Sequence, residues 1–245
     1  MELAFKDERE IVDHAKQLED AEICFFPAVS DLAHRVLKSL RGTSLTHRER
    51  PDFEDLPHSL LLEAMQVDDH PRPGRKDATR TREGSVLREL REPGFAEIFA
   101  NASLIANVNT QLPTDKDHNY PAYLTQFAKV IGDHARKVTD YRERRPGFDL
   151  GFLIFDESTA YIETLGAFGP DHQGRPHVWF ADTAFAEIIQ AAGIDCVAWL
   201  TPYKVVLGAD GTHYPLPQLT IIDLSLIDDQ SRVPYDAKRM KSAES

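Results

Sequence analysis

Apolar positions recur at helical spacing twice before residue 42. Ile11, Ala15 and Leu18 do so in an acidic stretch, and Val29, Leu32, Ala33, Val36, Leu37 and Leu40 do so ahead of Gly42. Two helices are expected there, an N-terminal helical region over 1–42. Residues 43–57 are polar and charged, with Pro51 and Pro57, and read as a connection. The run LLLEAMQV that follows is apolar enough for a strand and turns acidic at Asp68 and Asp69, before Pro71, Pro73 and Gly74 end any regular element. In ASLIANVNT, period-two alternation puts Ser103, Ile105, Asn107 and Asn109 on one polar face of a second strand.

The second half alternates more regularly. Pro121 stands where a helix begins, and Tyr123, Phe127, Val130, Ile131, Ala135 and Val138 form one apolar stripe through a long helix ending near Pro146. DLGFLIFDES is a continuous apolar run that predicts a buried strand with Asp156 and Glu157 at its end. A Gly/Pro loop from Gly166 to Pro176 precedes Asp182, a suitable N-cap for a helix carrying Phe185, Ile188 and Ile189 and closed by Gly193. DCVAWLTPYK and LTIIDL predict two further strands. Strands alternating with helices imply an α/β fold, a mixed sheet with flanking helices and some parallel pairing. The chain is expected to be one domain, with a sheet-containing core over 58–227 and a loose tail over 232–245.

Composition agrees with a folded α/β domain: 245 residues, 42% hydrophobic and 28% charged. No apolar run approaches the roughly 20 residues that span a bilayer, and the N-terminus is too charged for a signal-peptide core, so a cytoplasmic protein without membrane attachment is expected. Cys24 and Cys196 stand apart beside apolar residues, which argues against a disulfide scaffold or a thiolate metal site. The net charge of -12 opposes non-specific attraction to nucleic acid over most of the surface, so contact with nucleic acid has to be local.

Three groups of residues could carry chemistry. Glu63, Asp68, Asp69, Asp156 and Glu157 form an acidic set. Carboxylates brought together hold magnesium or manganese, which polarises a phosphate and activates water, and in this reading Asp68 and Asp69 are the metal ligands with Glu63 beside them in the catalytic role. The competing reading leaves Asp68 and Asp69 as solvated turn residues and Glu63 facing water. A basic segment from Arg72 to Arg91, including Arg75 and Lys76, and a second cluster of Arg136, Lys137, Arg142, Arg144 and Arg145 offer guanidinium and ammonium groups to a nucleic-acid backbone. The helix-end cluster is better read as complementing the helix dipole and pairing with neighbouring acids. Finally, Asp156, Glu157, Tyr203 and Lys204 all lie at predicted strand ends, where open α/β sheets gather ligands, with His172 and His177 in the loop before the next helix. The same loop suits an ordinary surface segment.

The order of elements resembles the helix, strands, helix, strand core of the restriction-endonuclease-like superfamily, the PD-(D/E)XK group, over roughly residues 58 to 158. That resemblance implies an Asp on one strand and Glu-x-Lys on the next. Asp68 or Asp69 would fill the first role, while Asn107, Asn109 and Gln111 stand where the second motif is expected, as neutral amides suited to ligand contact. The expected function is a nuclease-like, metal-dependent phosphodiesterase or a catalytically degenerate relative. The alternative is a non-catalytic ligand-binding or protein-interaction scaffold, which an oligomer would suit.

Overall fold

The computed structural model describes residues 8–69, 118–164, 174–207 and 213–243. It is an α/β fold around a seven-stranded mixed sheet. The strands are β1 (Ile23–Phe26), β2 (Thr46–His47), β3 (Phe53–Asp55), β4 (Leu60–Val67), β5 (Asp149–Asp156), β8 (Cys196–Leu200) and β11 (Leu219–Asp223), in the spatial order β1-β11-β8-β5-β4-β3-β2. β4, β5 and β8 are parallel neighbours, β2-β3-β4 is an antiparallel meander, and β11 runs antiparallel to β8 while pairing in parallel with β1. Two smaller sheets join β6 (Tyr161–Thr164) with β7 (Gly174–Pro176) and β12 (Met240–Ser242), and β9 (Val205–Leu207) with β10 (His213–Pro215).

Both faces of the main sheet are covered, which is why its central strands read as continuous apolar runs. On one face α1 (Glu8–Gln17) and α2 (Asp31–Arg41) bury Ile11, Val12, Ala15, Ala33, Val36 and Leu40 against Leu62, Leu153 and Ala198. Ser30 caps α2, its Oγ accepting from the Ala33 amide at 3.0 Å. On the other face lie α3 (Tyr120–Ala135), α4 (Val138–Arg144) and α5 (Thr183–Ala191). Tyr123, Phe127 and Ile131 recur every four residues along α3 and pack with Phe152, Phe185 and Trp199. Asp182 caps α5 as its position predicts, accepting from the Ala184 amide at 2.9 Å.

Four expectations need correction. Residues 43–57 are not only a connection, because β2 and β3 form there and are recruited to the edge of the main sheet by β4, so the sheet begins before residue 58. The first 42 residues are not purely helical, because β1 lies between the two helices and joins the main sheet. The single long helix ending near Pro146 is two helices, with a turn at Arg136 and Lys137 where the Lys137 amide bonds the His134 carbonyl at 3.0 Å. The tail over 232–245 is not loose throughout: β12 pairs with β6, Met240 is buried, and Val233 bridges to Asp182. A three-residue strand with one apolar member has too short a pattern to announce itself. The strand expected in ASLIANVNT lies outside the described residues. Among the described residues, no helix is long and apolar enough to cross a membrane.

At Gly151 the neighbouring strands β4 and β8 leave no room for a side chain. A Cβ there would stand 2.5 Å from Cys196 Sγ, 3.0 Å from Leu62 Cδ2 and 3.1 Å from the Cys196 carbonyl oxygen. Substituting Gly151→Ala is expected to cost about 1–3 kcal/mol through overpacking, read as a lower urea midpoint at unchanged slope.

Candidate functional site

Two clusters of polar side chains sit on the α3 side of the sheet, and they differ in how far their hydrogen-bonding capacity is used.

The first gathers at the carboxyl ends of the parallel strands. Asp156 closes β5, fully buried. Its Oδ2 accepts from Tyr123 Oη at 2.5 Å and Trp199 Nε1 at 3.0 Å, and its Oδ1 accepts from the Ser158 amide at 2.9 Å. Lys204 Nζ stands 3.6 Å from Oδ2 and donates to Ser158 Oγ at 2.5 Å and to the Thr159 carbonyl at 2.9 Å. It also lies over the rings of Tyr123 and Trp179, at 5.0 and 5.1 Å. Asp69 completes the group: Oδ2 accepts from Tyr161 Oη at 2.6 Å and the Thr159 amide at 3.1 Å, and Oδ1 pairs with His118 Nδ1 at 2.9 Å. Burial pushes the Lys204 ammonium below its ordinary pKa, opposed by the charges of Asp156 and Asp69. The same burial, with the facing carboxylates, drives the Tyr123 and Tyr161 phenols far upward, so they act as donors. Beside the cluster, His177 Nε2 and Tyr120 Oη both bond Asp182 Oδ2, at 2.8 and 2.5 Å. Burial lowers the His177 pKa against the pull of Asp182.

The second cluster stands where β4 meets β3, and one side of it opens to solvent. In the hairpin, Phe53 is opposite Leu62, so the next residue out, Asp52, faces Glu63. Asp52 Oδ2 accepts from the Ala64 amide at 2.7 Å, which ties the carboxylate to β4. Glu63 is the lone charge inside an apolar strand and only 1% exposed. Three donors from α3, α4 and the turn between them meet it: His134 Nδ1 at 2.9 Å and Lys137 Nζ at 2.5 Å on Oε1, and Tyr141 Oη at 2.8 Å on Oε2. The turn at Arg136 and the three-residue spacing of His134 and Lys137 bring both to one side of the helix pair. Burial resists ionisation of Glu63, but the three hydrogen bonds and the Lys137 charge outweigh it and hold its pKa below the ordinary value. Asp52 goes the other way. Burial and the neighbouring Glu63 charge raise its pKa to about 6, although the Ala64 amide and Lys137 pull against them. The pair is thus one firmly ionised carboxylate and one poised near neutrality, with Lys137 half-exposed beside them.

The sequence-derived candidates distribute unevenly over these clusters. Glu63 is central to the second. Asp69 belongs to the first, with both oxygens engaged, and Asp68 is buried beside it. Asp156 and Lys204 meet as their strand-end positions suggested. Arg72, Arg75, Lys76, Asn107, Asn109, Gln111 and His172 lie outside the described residues. In the helix-end cluster, Arg136, Arg142, Arg144 and Arg145 pair with Asp133, Asp195, Asp140 and Glu54 respectively, so most of that positive charge is locally balanced. Asp52, His134 and Tyr141 were not singled out from sequence; the Pro51-Asp52 dipeptide eleven residues before Glu63 was the available signal. Among the described residues, no group of three or more His, Cys, Asp or Glu side chains is placed to hold a metal ion. No family model, no curated protein and no solved structure matches this chain.

Two outcomes follow. Substituting Lys204→Met leaves Asp156 and Asp69 buried without their cation and is expected to cost about 3–5 kcal/mol in urea unfolding; a variant as stable as the parent would show that the ammonium is not their counter-charge. Asp52 has a folded pKa above its unfolded value, so its contribution is fully present below about pH 4 and is lost as pH rises through about 6. Asp52→Asn, which keeps an oxygen for the Ala64 amide, should therefore melt higher than the parent at pH 7.5, and the difference should vanish at pH 4.

Proposed function

We propose that this chain is a metal-dependent phosphodiesterase of the nuclease-like kind, acting at the Asp52–Glu63 pair. The observation that carries the reading is the facing of these two carboxylates across the β3–β4 hairpin with the Lys137 ammonium 2.5 Å from Glu63. The pair lies on the meander, helix, strand sequence β2-β3-β4, α3, β5, with β4 and β5 parallel. The restriction-endonuclease-like resemblance implies an Asp on one strand and a Glu on the next; Asp52 stands just before β3 and Glu63 within β4, which supports that reading. The assignment moves the first acid from Asp68 or Asp69 to Asp52. It also moves the cation, because the position two residues after Glu63 is Met65, packed in the core, and the charge arrives instead from the turn between α3 and α4.

The donor set fits magnesium or manganese. These hard ions take oxygen ligands and are commonly held by one or two carboxylates, with waters and substrate phosphate completing the shell. Two carboxylates are what the site offers, and Asp52 Oδ1 makes no hydrogen bond among the described residues. A bound ion would supply Lewis-acid polarisation of the phosphate and a water of lowered pKa. The chain's own residues do the rest. His134 and Tyr141 fix the Glu63 carboxylate, the Ala64 amide fixes one Asp52 oxygen, and Lys137 places a positive charge where charge accumulates on the phosphoryl oxygens as the bond to the leaving oxygen breaks. Arg48 and Arg145, both half-exposed and sharing Glu54, border the same side of the hairpin and offer guanidinium groups to flanking phosphates.

Purified protein is expected to cleave DNA or RNA with magnesium or manganese, and Glu63→Gln, Asp52→Asn and Lys137→Met are each expected to lower the rate by about a hundredfold or more. Because Asp52→Asn should also gain stability at neutral pH, loss of cleavage in that variant cannot come from unfolding. A parent protein inert on duplex and single-stranded DNA and on RNA with either ion, or variants that cleave as fast as the parent, would overturn the reading.

A further inference from the structure

We propose that His58 is a phosphoryl-accepting nucleophile whose Nε2 takes a phosphoryl group from a small anionic donor, with Asp55 as its positioning residue and Arg35 meeting the phosphoryl oxygens. The site lies in the turn between β3 and β4 and does not depend on the Asp52–Glu63 reading. Asp55 closes β3 and is fully buried. Its Oδ2 accepts from His58 Nδ1 at 2.8 Å and from Ser44 Oγ at 2.9 Å, and its Oδ1 accepts from the His58 amide at 3.3 Å. Burial resists ionisation of Asp55, but hydrogen bonds from Ser39, His58 and Ser44 outweigh it and hold its pKa below the ordinary value. An ionised carboxylate only accepts, so it keeps the imidazole proton on Nδ1 and leaves the Nε2 lone pair free. Nε2 makes no hydrogen bond among the described residues, and 17% of the side chain is exposed, an opening that suits a small donor.

Two further features set this pair apart from an ordinary turn. Ser59, the next residue, has φ +51°, the only positive φ of a non-glycine residue among the described residues, so the chain holds a costly backbone conformation directly after the imidazole. The Ser59 carbonyl accepts from the Asp149 amide at 2.9 Å, and Asp149 Oδ2 holds Arg35 NH2 at 2.6 Å. Arg35 NH1 reaches the His58 carbonyl at 3.4 Å, which sets a half-exposed guanidinium beside the turn. In the transfer, the Nε2 lone pair forms the N–P bond while the bond from phosphorus to the donor's leaving atom breaks, and the leaving atom departs with that electron pair. The proton on Nδ1 stays there, bonded to Asp55, whose charge balances the phospho-imidazolium. Charge on the phosphoryl oxygens faces Arg35.

The test is incubation of the intact chain with phosphoramidate, a small phosphoryl donor whose leaving group is ammonia. Mass spectrometry of peptides kept at alkaline pH reads the modified residue, and exposed His34 serves as the internal reference. His58 is expected to gain the phosphoryl group about tenfold faster than His34 or more, and Asp55→Asn is expected to slow it about a hundredfold. Nitrogen-15 NMR of Asp55→Asn should also show the neutral ring's proton moving from Nδ1 toward Nε2, a signature that a merely structural bond would not give. Arg35→Gln leaves the Asp55 bond in place and should slow the modification about tenfold. No phosphohistidine at His58, or modification there no faster than at His34, would overturn the proposal. A parent-like rate in Asp55→Asn or in Arg35→Gln would remove that residue from its role.

Discussion

The interior of this protein is organised around one buried ammonium. Lys204 carries its charge in from the loop after β8 and meets the carboxylates of Asp156 and Asp69, which lie at and just beyond the ends of β5 and β4. Burying two carboxylates without compensation would be prohibitive, and burying one lysine alone would deprotonate it. Together they are tolerated because nearly every remaining valence is filled. Tyr123 reaches in from α3, Tyr161 from β6, Trp199 from β8, and His118 from the start of the chain's return at α3. A satisfied polar network of this kind specifies more than it stabilises. Each donor has a single position from which it can serve, so the network fixes the axial placement of three parallel strands and the approach of the helix that covers them. The hairpin and the Glu63 cluster inherit that placement, since β4 is held at one end by Asp69 and α3 by Tyr123.

How much of this was legible in the chain depended on the length of each pattern. β4, β5, β8 and β11 are continuous apolar runs, because both faces of the sheet are covered, and α5 has both its Asp182 cap and its Gly193 stop. β2, β3 and β12 are two or three residues long and have no period to read. They exist because a longer neighbour supplies the hydrogen bonds: β4 recruits β3, β3 recruits β2, and β6 recruits β12. β1 is apolar but short, and sits between two strong helical stripes that dominate the reading of the first forty residues. The turn between α3 and α4 was invisible for a different reason. Apolar residues continue in helical phase across it, from Ala135 to Val138, so periodicity alone cannot see a break in the backbone hydrogen bonds.

The same logic separates the site residues that could be read from those that could not. Glu63 is conspicuous as a charge inside LLLEAM, and Asp156 and Lys204 are conspicuous as charges at strand ends. Their partners are not. Tyr123, Tyr161 and Trp199 count as core residues in any hydrophobicity pattern, yet in the fold each turns its single polar atom toward a carboxylate. Asp52 sits in a stretch so rich in charge that no one acid stands out, and only the register of the hairpin, which sequence does not reveal, sets it against Glu63.

The two clusters also show where stability and chemistry part company. Around Asp156 and Asp69 both carboxylates and the Lys204 ammonium are buried and hydrogen-bonded, and the arrangement is worth most to the fold when it never changes. Around Asp52 the matching is incomplete. Its carboxylate shares space with Glu63 under a single ammonium, its pKa is pushed to about 6, and the residue is only partly buried. A folded chain that carries an unneeded like-charge pair is giving up stability it could recover with one amide. Such a deficit, beside a half-exposed lysine, is what the proposed reading builds on: a positive ion or a substrate would relieve it. Among the described residues, the carboxylates of Asp156 and Asp69 have both oxygens engaged, which is why the proposed chemistry is assigned to the hairpin and not to the strand ends, where the fold alone would have placed it.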